Sequence, residues 1–405
     1  MAVRQLRLPP ALRALRHRNY RLLFFGQLIS ICGVWMQATA QGWLVLRLSD
    51  STFWLGMIAA AQSLPVLLFS LSAGTVADRV PKRRLLLTTQ SIAMVSALLL
   101  ALLTFSGLVQ VWHVLFLAVL TGTAAAFENP ARQAFTIELV GRDDLLPAIA
   151  LDSMMFNSAR IIGPAAAGIV AALVGEAPAF LFNGLSFGAT IGGLLLMRLP
   201  PFQPPVGHQR SGQLAEGIRY IRNDPQVLRM LLQLLVFCIF CLAYIPLLPS
   251  FARDVLGGDA RTFGALASSN AAGALAAAIM IGAFGEKLPR SGIRTIALLS
   301  YSLLLGSFTL MREIGPALVL IGLVGWAGIS TLTLSNTLLQ MMVPNELRGR
   351  VMSFFVLLVM GVSQISGLLI GALAEWVGNV ALTVGVWTMA GWLIQLALTY
   401  GSRKR

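Results

Sequence analysis

The amino-acid sequence predicts an all-α integral membrane protein, with twelve transmembrane helices in two pseudo-symmetric six-helix bundles. Three observations carry that prediction. Hydrophobic residues fill 57% of the 405 positions and charged residues only 11%, with a mean hydropathy of +0.79, too little charge to cover a water-soluble fold. Twelve apolar runs approach or exceed the roughly 20 residues that a helix needs to cross a bilayer core. The basic residues fall in alternate connections between those runs. Helix is the expected element because lipid offers no partner for backbone N–H and C=O groups, so each segment must satisfy its own.

In chain order the spans are expected at 20–46, 53–76, 85–106, 111–131, 148–174, 178–198, 228–250, 263–284, 293–311, 315–340, 351–375 and 380–400. The first follows Arg4, Arg7, Arg13, Arg16, Arg18 and Arg21. It is too long for the apolar core of a cleaved signal peptide, so no cleavage is expected. With both termini in the cytoplasm, the inward segments hold 25 Lys and Arg and the outward loops hold 4, namely Arg47, Arg253, Arg261 and Arg312. That bias sets the orientation and accounts for the net charge of +14 without invoking nucleic acid. Arg160 is left inside a span.

Between spans six and seven, residues 199–227 open with Pro200, Pro201, Pro204 and Pro205, which stop a helix. Leu214, Ile218 and Ile221 then recur at helical spacing beside Glu216, Arg219 and Arg222. This stretch reads as a cytoplasmic linker with an amphipathic helix on the membrane surface, dividing bundles at 1–198 and 228–405. Trp54, Trp112 and Trp376 read as interface anchors. Cys32, Cys238 and Cys241 read as packed thiols, since neither His nor acidic ligands accompany them.

The halves repeat. At an offset of 208 residues Gly74 meets Gly282, Asp78 meets Glu286, Arg79 meets Lys287, Pro81 meets Pro289 and Lys82 meets Arg290. Each set follows the second span of its half. A weaker echo at 207 pairs Asn129 with Asn336 and Gln133 with Gln340. A duplicated six-helix unit implies a two-fold axis along the membrane normal and a cavity between the copies. No candidate selectivity filter of a channel occurs.

The stretch Gly74-x-x-Ala77-Asp78-Arg79-x-Pro81-Lys82-Arg83 resembles the cytoplasmic loop motif of the major facilitator superfamily, with Pro81 where that motif usually has glycine. Gly163-Pro164 with Gly168 in span five resembles the motif of its drug-efflux antiporters, with Ala167 replacing the first of two usual glycines. Residues 217–225 and 344–353 are similar to the branch that includes the enterobactin exporter. The resemblance covers essentially the whole chain and implies the major facilitator fold. It further implies that Gly74, Asp78, Arg79, Lys82, Arg83, Glu286, Lys287 and Arg290 form a conformational latch. Asp78 would dock near the start of span eleven, around 349–353; alternatively the basic residues set topology alone. Gly163, Pro164 and Gly168 would form a helix-packing surface on which span five slides against span eight. The arginine usual in the middle of span four of antiporters has no clear counterpart; Arg132 comes late.

Arg160 lies roughly 18 Å into span five at the helical rise, and turning it to lipid would cost at least about 3 kcal/mol. A partner is therefore expected, with Glu128 preferred over Asp152. The set Glu128, Asp152 and Arg160 reads as an anion-binding or proton-coupled group, or else as a structural ion pair. Glu128 has a second option in Arg132, one helical turn on. Gln27, Trp35, Gln37, Gln41, Tyr244, Trp326, Asn336 and Gln340 are expected to line the central cavity.

The sequence holds no phosphate-binding loop, metal cluster, cofactor motif or catalytic constellation, so it predicts neither an enzyme nor a nucleotide-driven pump. The resemblance implies secondary active export of amphipathic organic molecules, drug- or siderophore-like, by proton antiport in the inner (plasma) membrane. The expected partners are the lipid bilayer, a small-molecule substrate and the proton, with the chain acting as a monomer. An uptake carrier of the same fold and a non-transporting sensor are the alternatives.

Overall fold

The computed structural model describes residues 10–200, 213–284 and 289–400; the side chains of Asp78, Asn345, Glu346 and a few other helical residues fall outside that description. A 3-10 turn, Pro10–Arg16, leads into α1 (Arg18–Ser49), α2 (Thr52–Arg79), α3 (Lys82–Phe105), α4 (Val111–Val140), α5 (Leu145–Val174) and α6 (Ala177–Leu195). A short helix, α7 (Gln213–Asn223), precedes α8 (Pro225–Phe240), α9 (Ala260–Phe284), α10 (Arg290–Thr309) and α11 (Ile314–Met342). The chain ends with α12 (Asn345–Leu357), α13 (Ser363–Val377) and α14 (Val380–Tyr400). Among the described residues, 12 helical segments are long and apolar enough to cross a membrane, as expected.

Local chemistry sets the ends. Asp224 caps α8 through its carboxylate, which accepts from Gln226 N at 2.9 Å and Val227 N at 3.1 Å, with Pro225 in the first turn. Gly141 (φ 72°) and Gly175 (φ 88°) close α4 and α5 in backbone shapes that only glycine adopts without strain. Two expected spans are broken. After Phe240 the seventh crossing passes through a 3-10 turn (Leu242–Leu247) and a π turn (Phe251–Val255), because Pro246 and Pro249 remove backbone donors. The eleventh passes through a π turn (Leu358–Val362) between α12 and α13. The fourth runs nine residues beyond its expected end at 131, because Ala131, Phe135, Thr136 and Val140 give the extension a buried face.

Within the first half, α4 packs along α2 and α3, α1 along α5 and α6, and α3 along α6. In the second half α11 packs along α9 and α10, and α10 along α14. The halves meet at two crossings, α5 on α9 and α2 on α13. These crossings are related by the repeat. A Cβ on Gly168 would stand 2.5 Å from Ala260 O, and one on Gly371 would stand 2.6 Å from Thr52 O. Thr52 and Ala260 are 208 residues apart, as are Gly56 and Gly264, the next glycines in each contact. Both crossings lie toward the end that carries the α1–α2 turn. There Thr52 N and Oγ1 donate to Glu375 Oε2 at 2.8 and 3.2 Å, and Arg253 pairs with Asp50 at 2.5 Å. At the opposite, basic end, α12 packs on α7, α8 and α11.

Candidate functional site

Two cavities join at the centre of the molecule. One, about 280 Å³, lies inside the first half and is lined by Gln27, Gln37, Gln90, Glu128, Arg132 and Asn183 among others. The other, about 350 Å³, lies between the halves and is lined by residues that include Arg160, Tyr244, Phe263, Asn270 and Gln364. Trp35, Ala38, Gln41 and Gln62 line both, so the two are lobes of one chamber. The repeat helps to build it: Gln62 and Asn270, 208 residues apart, each lay a backbone carbonyl against a glycine of the fourth helix of their half, Gly122 and Gly325. Those close approaches bring both amides to the chamber wall.

Arg160 does not meet Glu128. Its Nη2 reaches Asn270 Oδ1 at 3.5 Å, and its guanidinium carbon stands 6.0 Å from the centre of the Trp35 ring. Asn270 turns its amide nitrogen to Tyr244 Oη at 3.1 Å. Glu128 instead accepts from Gln90 Nε2 at 2.8 Å. Asp152 accepts from Tyr20 Oη at 2.9 Å, where α1 crosses α5, and lines neither lobe. The reason lies in the packing. Beyond their connecting turn, α4 follows α2 and α3 while α5 follows α1 and α9, so the two helices part. The expected trio is thus divided among three neutral partners.

Of the expected cavity residues, Gln27, Trp35, Gln37, Gln41 and Tyr244 line the chamber. Gln37 accepts from Asn183 Nδ2 at 2.7 Å. Trp326 packs against the main apolar core instead. Gln340 donates to Asn336 at 2.5 Å on an exposed stretch of α11, and neither lines a lobe. Gln62, Gln90, Asn183, Asn270 and Gln364 were not expected. Their signal was available, since an amide within an apolar span usually has a polar partner, but the sequence does not say which helix supplies it.

The loop motif is used within each half. Lys82 Nζ pairs with Glu138 at 2.6 Å, and Arg83 Nη2 donates to Leu195 O at 2.8 Å. Arg290 Nη1 lies 3.1 Å from Met341 Sδ. Each half thus sets the first basic residue of its third helix against the far end of its fourth. Arg79 is exposed, and a Cβ on Gly74 would meet nothing within 4 Å. Glu286 and Lys287 lie outside the described residues, as does the Asp78 side chain. Of the packing motif, Gly168 faces α9, whereas a Cβ on Gly163 would stand 2.5 Å from Trp35 Cβ, so that glycine serves the α1 contact.

Near the basic end, Asp144 is buried at 1% exposure and receives Arg16 at 2.6 Å, His17 Nε2 at 2.8 Å and Arg13 at 3.4 Å. The His17 hydrogen bond and the two guanidiniums hold its carboxyl below the usual carboxylate range. Cys32, Cys238 and Cys241 are free thiols.

Comparison with known proteins agrees with this architecture. Residues 10–403 match the family model described as transmembrane secretion effector. The multidrug efflux pump Tap of Mycobacterium tuberculosis is 27% identical over 377 residues, covering 88% of this chain and 87% of the pump. The enterobactin exporter EntS of Shigella flexneri is 26% identical over 372 residues, covering 90% and 87%. The staphyloferrin A transporter of Staphylococcus aureus is 26% identical over 262 residues, and the match spans 64% of this chain and 66% of that protein. Among solved structures, a point mutant of the nucleoside transporter NupG superposes with a TM-score of 0.73 at 13% identity, over 94% of this chain and 98% of that one. An inward-facing bacterial homologue of the lysosomal transporter Spinster gives 0.70 at 14% identity, over 94% of both chains.

Proposed function

Because the chain belongs to the transmembrane secretion effector family of major facilitator transporters, we propose that it exports amphipathic organic molecules across a bacterial inner membrane by proton antiport and alternating access. One observation carries the reading: a single chamber, walled by both halves, is pinched at the α1–α2 end by two repeat-related helix crossings. With the basic loops in the cytoplasm, the pinched end is the outer one and the chamber loads from inside. Rocking the halves about the central axis would release those crossings and present the chamber outward. Asp78 and the basic loop would then fasten the inner end. The relatives named as a multidrug efflux pump, an enterobactin exporter and a staphyloferrin A transporter support an organic small-molecule cargo.

Among the described residues, Glu128 is the one carboxylate on the chamber lining, and it serves as the proton carrier. Arg160 cannot fill that role, because a guanidinium keeps its proton throughout the physiological range. The experiment is accumulation of an amphipathic dye in an export-deficient bacterium. Cells making the protein should hold less dye, a proton uncoupler should remove the difference, and Arg160→Ala should remove it while the protein still inserts. Uncoupler-resistant export contradicts proton antiport. Unchanged accumulation with well-inserted protein contradicts export.

A further inference from the structure

Resting on the reading that the chamber is the transport site, we infer that its inter-half lobe takes organic anions with an aromatic body, and that Arg160 receives their charge. The argument begins with charge. Among the described residues, Arg160 is the only charged side chain on the lining of that lobe. The acids to which it might have answered are engaged elsewhere, Glu128 with Gln90 and Asp152 with Tyr20. A cation held near the middle of the 30-residue α5 without a counter-ion is an unbalanced charge in a poorly polarisable setting, and an anion is what balances it.

The donors say the same. A guanidinium carries five N–H groups. Nη2 reaches Asn270 at 3.5 Å, the long limit of a hydrogen bond. Nε and Nη1 have no acceptor among the described residues, yet neither is sealed from the cavity. A guanidinium grips a carboxylate through paired, charge-assisted bonds along either of two edges, Nε with Nη2 or Nη1 with Nη2, and each edge here keeps an unengaged nitrogen beside an Nη2 that spends one of its two hydrogens on Asn270. The guanidinium carbon stands over the Trp35 ring at 6.0 Å, a contact that uses none of its N–H donors. Asn270, held in turn by Tyr244 and by the Ile321 carbonyl at 3.3 Å, fixes the other side of the fork.

The walls select the body of the ligand. Trp35, Tyr244 and Phe263 give the lobe aromatic surface on the same lining as Arg160, and Leu55 and Ile58 add aliphatic surface. The remaining polar side chains, Thr39, Gln41, Gln62 and Gln364, are all uncharged. Among the described residues, no carboxylate on this lining draws a cation, and Arg160 repels one.

The test uses two dyes built on the same three-ring xanthene: fluorescein, an anion at neutral pH, and tetramethylrosamine, a cation. Each is titrated by fluorescence anisotropy into the full chain in lipid nanodiscs. Fluorescein should bind at least about tenfold more tightly, and Arg160→Gln should weaken it by at least about tenfold while tetramethylrosamine binding holds or improves. Arg160→Lys should keep part of the anion preference. Matching thermal unfolding of the variants and the wild type excludes misfolding as the cause. Equal affinities, tighter cation binding, absent fluorescein binding, or an Arg160→Gln variant that binds fluorescein like the wild type would each overturn the inference. Dye loading into everted vesicles separates the two claims. Arg160-dependent fluorescein binding without uncoupler-sensitive loading upholds the site and removes the export reading.

Discussion

Arg294 and Arg160 are both arginines within apolar surroundings, and they are used in opposite ways. Arg294 is 7% exposed, and its donors are taken by Ser335 Oγ and Gln233 Oε1, each at 2.8 Å. It ties α8, α10 and α11 together. Arg160 keeps donors open to the chamber. The sequence made Arg160 conspicuous because it stands alone in the middle of a run, whereas Arg294 stands at a span entrance and read as a loop charge. For neither could the sequence name the partners. Asn270 is 110 positions from Arg160, in the other half, and Gln233 is 61 from Arg294. Glu128 is where coupling is tested at this scale. Glu128→Gln keeps the shape and the Gln90 contact but loses the titrating group. Uptake into everted vesicles should lose its dependence on the pH gradient while dye binding persists; a variant still driven by that gradient would exclude Glu128 as carrier. Asp144 predicts a stability effect instead. Its carboxyl is held low in the folded chain, so its contribution is complete above the ordinary carboxylate pKa and is lost as pH falls through the lowered one. Asp144→Asn should lower the thermal midpoint at neutral pH and flatten its decline on acidification. An unchanged acid limb would show that the Arg13–Arg16–His17 cluster adds nothing.

At the scale of helices, the question is what holds the α1–α2 end shut. Asp50 is 80% exposed in its pair with Arg253, and exposed pairs contribute about 0–1 kcal/mol. The two glycine crossings leave no room for a side chain, and forcing one into such a contact costs about 1–3 kcal/mol or more. Packing therefore decides closure. Gly56→Leu or Gly264→Leu should shift the protein toward an open α1–α2 end, read as faster labelling of a cysteine placed at Gln364 by a membrane-impermeant thiol reagent added from that side. Asp50→Ala should change the rate little. The reverse ranking would make the ion pair the clasp. Span positions were legible because twenty apolar residues have few alternatives. The continuation of α4 past 131 and the breaks at 241–255 and 358–362 were not. Pro246 and Pro249 announce an interruption, but whether the chain turns aside or carries on through 3-10 and π turns depends on neighbouring helices. After the proline-rich stretch, α7 sets Glu216 against Arg350 of α12.

For the molecule as a whole, the duplication is the organising fact. It was visible in the sequence at the loop motif and, more weakly, in the pairs Asn129 with Asn336 and Gln133 with Gln340. The structure extends it to the inter-half crossings, Thr52 with Ala260 and Gly56 with Gly264, and to the chamber amides Gln62 and Asn270. Isolated small residues and a single Gln–Asn pair give an alignment by residue type little to hold, while the constraint they share is backbone approach. The copies have diverged in charge: Glu128, Arg132 and Arg160 all come from the first half, and the second supplies the neutral amides and ring surface. The account stands on the halves moving as bodies about that chamber. The most direct measurement is electron–electron distance in lipid nanodiscs between spin labels at Ser106 and Arg312, on the α1–α2 side, and at Arg142 and Ser291, on the basic side. All four positions lie at helix ends away from the chamber lining, and Cys32, Cys238 and Cys241 would be replaced. Acidification or dye should lengthen the first distance as it shortens the second; two fixed distances, or two that rise and fall together, would contradict alternating access.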